Sequence, residues 1–572
     1  MLGAEVIVES MLAHEIERVY VFPGGTIAPI LDCAKHKGLN IFCARHEQGA
    51  GYAALAAARL SGKCQVAMVT SGPGVTNIIT SVADAYYDST PLVLLTGQVG
   101  TSDLCHELPI RQRGFQEVDT LALLTPVTKA QFLVERCDDL PQIMAQAFFQ
   151  ATNGRSGPVV VDLPMDVQRN ELHETSEIQV ISKSARSEPD DAKLDQIIQW
   201  LSEAKSPLII AGQGVLQSGG QTELRKLVDL VGIPVSHSLL GLGAIPSDSP
   251  MALGFHGHTG NQYAGKAIHN ADFVLVLGSR LDVRQTGNRY EDFVPNGRVV
   301  RIDFDAAELE HCRVHTEVVF QNDVRDVLEG INARLLDKPL PDFNDWHAQI
   351  NQWRQEYPLI YASDDKHGPL KPQHIIEAVN RLSKNLSKSR RVTCISGVGS
   401  HQHWVARHFE FDFPQRRWLT SGGHGAMGYD LPTAVGAQLH DPDALVLCIV
   451  GDGSLQINIQ ELAAVAENRL PVKIIVLDNH RLGIVSQFQQ FNWQDDPTTG
   501  NKWNPDFAAI ATAYGIPSFL IKTANEVEPI LSLALKEPGA ALVHCLVDEN
   551  EDIVPMLLAG QTLDRMWPYD GH

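Results

Sequence analysis

The chain has 572 residues, 44% of them hydrophobic and 20% charged, and a formal net charge of −22. That length is too great for one hydrophobic core and predicts two to four domains. The composition is that of a soluble globular protein, and the excess of carboxylates speaks against a nucleic-acid surface, because a polyanion would be repelled.

The N-terminal stretch MLGAEVIVESMLAHEIERVYVF reads as an amphipathic helix running into a strand. It lacks the basic-then-apolar pattern of a signal sequence, and no later apolar run reaches membrane-spanning length. Runs that are apolar at successive positions recur at 19–22, 66–70, 92–97, 159–164, 208–214, 273–279, 299–305, 445–453, 472–479 and 542–548. Such runs are buried on both faces, as strands of helix-covered parallel sheets are, and they alternate with helical patterns. The prediction is doubly wound α/β architecture. The polar stretch 171–195 and the proline-containing stretch 336–372 read as linkers, the second with a helix inside it. The predicted domains are therefore 1–170, 190–335 and 370–550, followed by a tail at 551–572. Nine cysteines are scattered without a CxxC pair, several of them (Cys394, Cys448, Cys545) inside apolar runs. This predicts buried free thiols in a reducing cytoplasm rather than disulfides or a zinc site.

One local pattern carries chemistry. The strand ALVLCIV runs directly into Gly451-Asp452-Gly453-Ser454, the helical pattern INIQELAAVAENRL follows, and a second buried strand, VKIIVLD, ends at Asp478-Asn479. Asp452 and Asn479 thus lie at carboxyl ends of strands, where open α/β sheets bind ligands. Carboxylate and amide oxygens are hard donors suited to Mg²⁺ or Ca²⁺. Gly451 and Gly453 permit a sharp turn and close approach of an anion, and a helix start offers free N–H groups to a phosphate. A turn that merely reads GDGS is the plain alternative; Asn479 after a second buried strand weighs against it. In the first domain, Glu47 opens a helix whose next ten residues are almost all Gly and Ala. Alone, it reads as an acid favouring a helix N-terminus or pairing with Arg45.

Together these features resemble thiamine diphosphate-dependent enzymes, and most closely acetohydroxyacid (acetolactate) synthases. The likeness rests on VFPGG (21–25), RHEQGAGYAA (45–54), TSGPGVTN (70–77), FQEVD (115–119) and SGGHGAMGYDLP (421–432) in the outer parts. In the middle it rests on LIIAGQGV (208–215), SLLGLGA (238–244), LGFHGHTG (253–260), LGSRLDVRQTG (277–287), RIDFD (301–305) and QNDV (321–324). The resemblance implies three doubly wound domains with mainly parallel sheets: pyrimidine-binding, FAD-binding-like and diphosphate-binding. It implies Mg²⁺ held by Asp452, Asn479 and the main-chain carbonyl of Arg481. It implies thiamine diphosphate held by Gly399, Ser400, His401, Gly425, Met427, Gly451, Gly453 and Ser454. Glu47 becomes the cofactor activator, driving removal of the thiazolium proton, with Gly25, Phe115 and Gln116 beside the reacting carbon. FAD would be bound by Gly212, Gly214, Leu240, Gly257, Arg280, Asp303 and Asp323, in a structural role.

The implied reaction decarboxylates pyruvate and transfers the two-carbon unit to a second 2-keto acid, giving 2-acetolactate, with Arg284 receiving the acceptor carboxylate. A non-acid ketone acceptor, such as a keto sugar, and an FAD-dependent pyruvate oxidase are the rival readings. The implied assembly is a homodimer or homotetramer with active sites at subunit interfaces, and a separate regulatory subunit is left open. Departures from the family pattern are Asp478 for Asn, Ser400 for Gln, Phe488 for Trp, Met165 for Lys and Val283 for Asp. The Phe488 ring changes the volume and shape of the acceptor pocket.

Overall fold

The computed structural model describes residues 1–572 except 106–107, 174–176, 185, 337, 339, 362–367, 494–498, 501–502 and 570–572. Parts of both linkers and the end of the tail therefore lie outside the described residues. The strands are β1 (Arg18–Phe22), β2 (Asn40–Cys43), β3 (Gln65–Val69), β4 (Leu92–Gln98), β5 (Ala130–Leu133) and β6 (Pro158–Pro164) in the first sheet. The second sheet holds β7 (Pro207–Ala211), β8 (Val235–His237), β9 (Ala252–Phe255), β10 (Phe273–Leu277), β11 (Arg298–Asp303) and β12 (Val318–Gln321). The third holds β13 (Val392–Ile395), β14 (Arg416–Leu419), β15 (Leu445–Gly451), β16 (Lys473–Asp478), β17 (Ser518–Ile521) and β18 (Ala541–Leu546). The predicted parallel α/β class holds in all three sheets.

The first sheet has the order β2-β1-β3-β4-β6-β5 and the third has β14-β13-β15-β16-β18-β17, which is the same order repeated. The second runs β12-β11-β10-β7-β8-β9, the dinucleotide-fold order of three strands to each side of the point where the winding reverses. The reversal points lie between β1 and β3, between β7 and β10, and between β13 and β15. There the crossover helices leave on opposite faces and a crevice opens at the carboxyl ends of the strands.

The outer two domains pack against each other within the chain. Helix Glu47–Ser61 is buried from Gly49 to Ala58, and a Cβ at Gly436 of helix Asp430–His440 would stand 2.2 Å from the carbonyl oxygen of Ala53. This contact explains the run of Gly and Ala: the helix is sandwiched between its own sheet and the neighbouring domain. Glu461 closes the seam. It is 1% exposed and accepts the Arg45 N–H at 2.9 Å. Burial pushes its carboxyl up to about 7 from the usual 4.5, against the lowering effect of the Arg45 and His46 donors. The folded state thus holds this proton more tightly than the unfolded chain. The stability it contributes is complete below about pH 4.5 and lost as pH rises through about 7. Glu461→Gln keeps an acceptor but cannot ionise, so it is expected to be more stable than the parent by up to about 3 kcal/mol at pH 8, read as a higher Tm, and by much less at pH 5. An equal Tm difference at both pH values would contradict this.

Among the described residues no helix is long and apolar enough to cross a membrane. All nine cysteines are free. Cys394, Cys448 and Cys545 lie on β13, β15 and β18, where burial pushes their thiols up.

Candidate functional site

The crevice of the third sheet gathers the Gly-Asp-Gly and Asp-Asn motifs. β15 and β16 are adjacent and parallel, with Gly451 paired to Leu477, so Asp452 and Asn479 follow neighbouring strand ends. They are 2% and 5% exposed. The helix begins at Asp452 itself and stops at Ile457, rather than running on through INIQELAAVAENRL. Asn458 interrupts it: its side chain donates to the Gly428 carbonyl at 2.7 Å and to Gln48 Oε1 at 2.8 Å. Asn504, which carried no signal in the sequence, bridges two carboxylates, donating to Asp452 Oδ2 at 2.6 Å and to Asp478 Oδ1 at 2.7 Å. Asp478 also bonds His544 Nε2 at 2.8 Å. Burial alone would raise the Asp478 carboxyl; the His544 and Asn504 bonds outweigh it and hold it below its ordinary range. Asp478 is therefore an anchored carboxylate behind the site, which accounts for an acid where the resemblance leads one to expect an amide. His480 takes a left-handed φ of 53°, turning the chain after Asn479. The Arg481 side chain runs away to the Glu549 carbonyl (2.8 Å) and Asp552 (3.2 Å), leaving its main chain as the part that can serve the site.

Across the reversal point stand Gly399, Ser400 and His401. Gly399 has a φ of 146°, and a Cβ at either Gly399 or Gly451 would sit 3.0 Å from His401 Nδ1. Both glycines keep this crevice open to backbone approach. Ser454 is committed to the fold: its hydroxyl accepts the Gly428 N–H at 2.9 Å and donates to Asp430. Asp430 also takes the Gly397 N–H and lies 3.1 Å from His401 Nε2. Loop 421–428 is thereby tied to the Gly-Asp-Gly turn. The Met427 methyl lies 3.3 Å from where a Gly453 Cβ would be, and Gly425, at φ 76°, faces open space.

The first sheet presents its predicted residues on its own carboxyl edge. Glu47 is 4% exposed and accepts a bond from Asn77 Nδ2 at 3.0 Å, with His46 Nε2 at 3.8 Å. Gly25 follows β1. Gln116, at φ 64°, packs on Gly72, which follows β3. Phe115 is 85% exposed, and Phe488 on the third domain is 55% exposed. Asn77, like Asn504, was not anticipated from the sequence.

The middle sheet borders a cavity of about 750 Å³ lined by Gly214, Leu240, Arg280, Arg284, Asp303 and Asp323, among others. Gly212 and Gly257 do not line it; they shape its wall. A Cβ on Gly212 would lie 2.1 Å from the Gly278 carbonyl, and one on Gly257 2.5 Å from that of Arg284. Burial raises the Asp303 carboxyl, and Asp323 is raised likewise. Asp323 caps helix Val324–Leu335 through the Arg325 N–H and pairs with Arg186 at 3.5 Å. Arg284 is exposed at the start of the short helix Val283–Thr286.

The donor chemistry of each crevice fits the group implied for it. Asp452, Asn479 and a main-chain carbonyl are hard oxygen donors with a single carboxylate among them. In keeping with that, no trio of His, Cys, Asp or Glu forms a metal site among the described residues. The cavity beside the reversal point of a dinucleotide-type sheet, with close-packed glycines and Arg side chains, suits a large anionic nucleotide.

Comparison with known proteins follows the same division of the chain. The thiamine pyrophosphate enzyme N-terminal TPP binding domain matches residues 1–123, the central domain 194–331 and the C-terminal TPP binding domain 397–545. The chain is 38% identical to acetolactate synthase isozyme 3 large subunit of Escherichia coli (strain K12), over 99% of this chain and 98% of that protein. It is 37% identical to the isozyme 2 large subunit of the same organism, over 99% of each. It is 35% identical to the chloroplastic acetolactate synthase of Arabidopsis thaliana, over 98% of this chain and 84% of that protein. Similarity of this extent, spread over all three sheets and their crevices, places the chain in the acetolactate synthase large-subunit family of thiamine pyrophosphate enzymes.

Proposed function

We infer that this chain is a thiamine diphosphate-dependent carboligase that decarboxylates pyruvate and joins the two-carbon unit to a second 2-keto acid, giving 2-acetolactate. The observation that carries this reading is the crevice of the third sheet, where Asp452 and Asn479 end neighbouring parallel strands beside the open turn at Gly399. When bound, thiamine diphosphate supplies a nucleophilic carbon and an electron sink for loss of CO₂. The chain's residues bind, orient and exchange a proton. Asp452, Asn479 and the Arg481 carbonyl would hold Mg²⁺, and Gly399, Ser400, His401, Gly451, Gly453 and the Ser454 main chain would border the diphosphate. Gly425 and Met427 would support the aminopyrimidine. Glu47 is buried, with Oε2 held by the Asn77 amide, which leaves its other oxygen as the one that would hold or release a proton. Arg284 offers a cation to the acceptor carboxylate, and Phe488 shapes the space the acceptor fills. FAD would occupy the middle cavity between Gly214, Arg280, Asp303 and Asp323.

The assembly proposed is a homodimer or larger, with the first domain of one subunit facing the third domain of another. The large aromatics left exposed in the single chain support it: Phe115 at 85%, Trp503 at 77% and Trp493 at 65%.

Purified protein incubated with pyruvate, Mg²⁺, thiamine diphosphate and FAD, with products identified by mass, tests the reading. Acetolactate is expected. Acetate with hydrogen peroxide would mark an oxidase. Inactivity on pyruvate alone, relieved by a ketone acceptor, would mark a different carboligase.

A further inference from the structure

Loop 420–428, which would support the aminopyrimidine, is gripped by the first domain of the same chain. Asp88, 1% exposed, follows helix Pro73–Tyr87. Its two carboxylate oxygens accept consecutive backbone N–H groups of the loop, Gly423 at 2.7 Å and Gly422 at 3.0 Å. Its own carbonyl accepts Gln213 Nε2 at 3.1 Å and Gln217 Nε2 at 3.3 Å. Those glutamines lie on the short helix that follows Gly212, at the reversal point of the middle sheet. Arg59 completes the grip, donating to the Thr420 carbonyl at 2.6 Å with its guanidinium 3.6 Å from Asp88. Tyr87 stacks on His424 at 5.7 Å. One residue thus ties together all three domains and links both crevices of the proposed function.

The neighbouring Asp84 is fully buried; burial and the Asp88 charge push its carboxyl well above the ordinary range. Arg59 supplies the positive charge beside the pair, 3.6 Å from Asp88. A buried carboxylate that spends both oxygens on adjacent glycine amides fixes a backbone direction, since glycine has no side chain to restrict it otherwise.

We propose that Asp88 is a positioning residue that holds loop 420–428 in its cofactor-receiving shape, and that Gln213 and Gln217 brace it from the middle domain. This rests on the assignment of that loop to thiamine diphosphate. The test measures binding as well as turnover. Thiamine diphosphate at saturating Mg²⁺ is titrated into the parent, Asp88→Asn, Asp88→Glu and the pair Gln213→Ala/Gln217→Ala, followed by tryptophan fluorescence, with urea midpoints measured alongside. Asp88→Asn is expected to weaken binding about tenfold or more, as loss of an orienting partner does, with a smaller change in kcat and a urea midpoint near the parent's. Asp88→Glu should recover part of the loss. The glutamine pair, whose amides donate to the Asp88 and Ser89 carbonyls, should weaken binding several-fold. Binding within twofold of the parent for a folded Asp88→Asn would overturn the proposal. If Asp88→Asn does not fold, parent-like binding by the glutamine pair overturns it instead. A parent that binds no thiamine diphosphate at all would bring down the cofactor assignment as well.

Discussion

Glu47→Gln is expected to lower kcat at least about a hundredfold while thiamine diphosphate still binds, a loss within the usual range for a removed proton-transfer group. The side chain is 4% exposed and accepts Asn77 Nδ2 at 3.0 Å, at the first position of helix Glu47–Ser61. Glutamine has nearly the same volume and still offers an oxygen to Asn77, so the helix start and the packing around it are preserved. What it cannot do is exchange a proton. The groups proposed to bind the diphosphate and metal belong to the third domain and are unchanged. Steady-state kinetics together with calorimetric titration of the cofactor separate the two effects. Parent-like turnover would remove Glu47 from the mechanism.

Asp452→Ala is expected to weaken Mg²⁺-dependent thiamine diphosphate binding on the order of a hundredfold or more, with little change in secondary structure. Asp452 is the one full negative charge among the three proposed oxygen donors, and a divalent ion binds poorly to neutral oxygens alone. The substitution also leaves Asn504 with only Asp478 as its carboxylate partner, so the amide that orients the donor set loses half its hold. Cofactor titrations at increasing Mg²⁺, with circular dichroism to check the fold, test this. Parent-like affinity at low Mg²⁺ would exclude Asp452 as a ligand.

The sheets were legible in the sequence where their strands are buried on both faces. β4 and β6 are buried at every position and gave continuous apolar runs. Edge strands escaped notice because one side meets solvent or a loop: β2, β5 and β17 have mostly half-buried or exposed residues. β8 and β13 are fully buried, yet Ser236, His237 and Thr393 interrupt the apolar pattern. For the site, spacing within one βαβ unit exposed Asp452 and Asn479, since the chain brings them together locally. Asn504, Asn77 and Asp88 act through contacts between segments 26 to 335 residues apart. No local period records such partners, and each side chain is of a type common at helix caps and turns.

The repeated strand order of the two outer sheets bears on how such a protein diversifies. The five motif departures all sit at or follow carboxyl strand ends: Met165 after β6, Val283 opening the short helix after β10, Ser400 opening the helix after β13, Asp478 at the end of β16, and Phe488 on the helix that follows it. These positions lie on the rims of the sheets, above strands such as β15 and β16 that are buried along almost their whole length. Selection can retune what one rim accepts without renegotiating the stability of the whole, and two rims of common design can drift toward different halves of a single task.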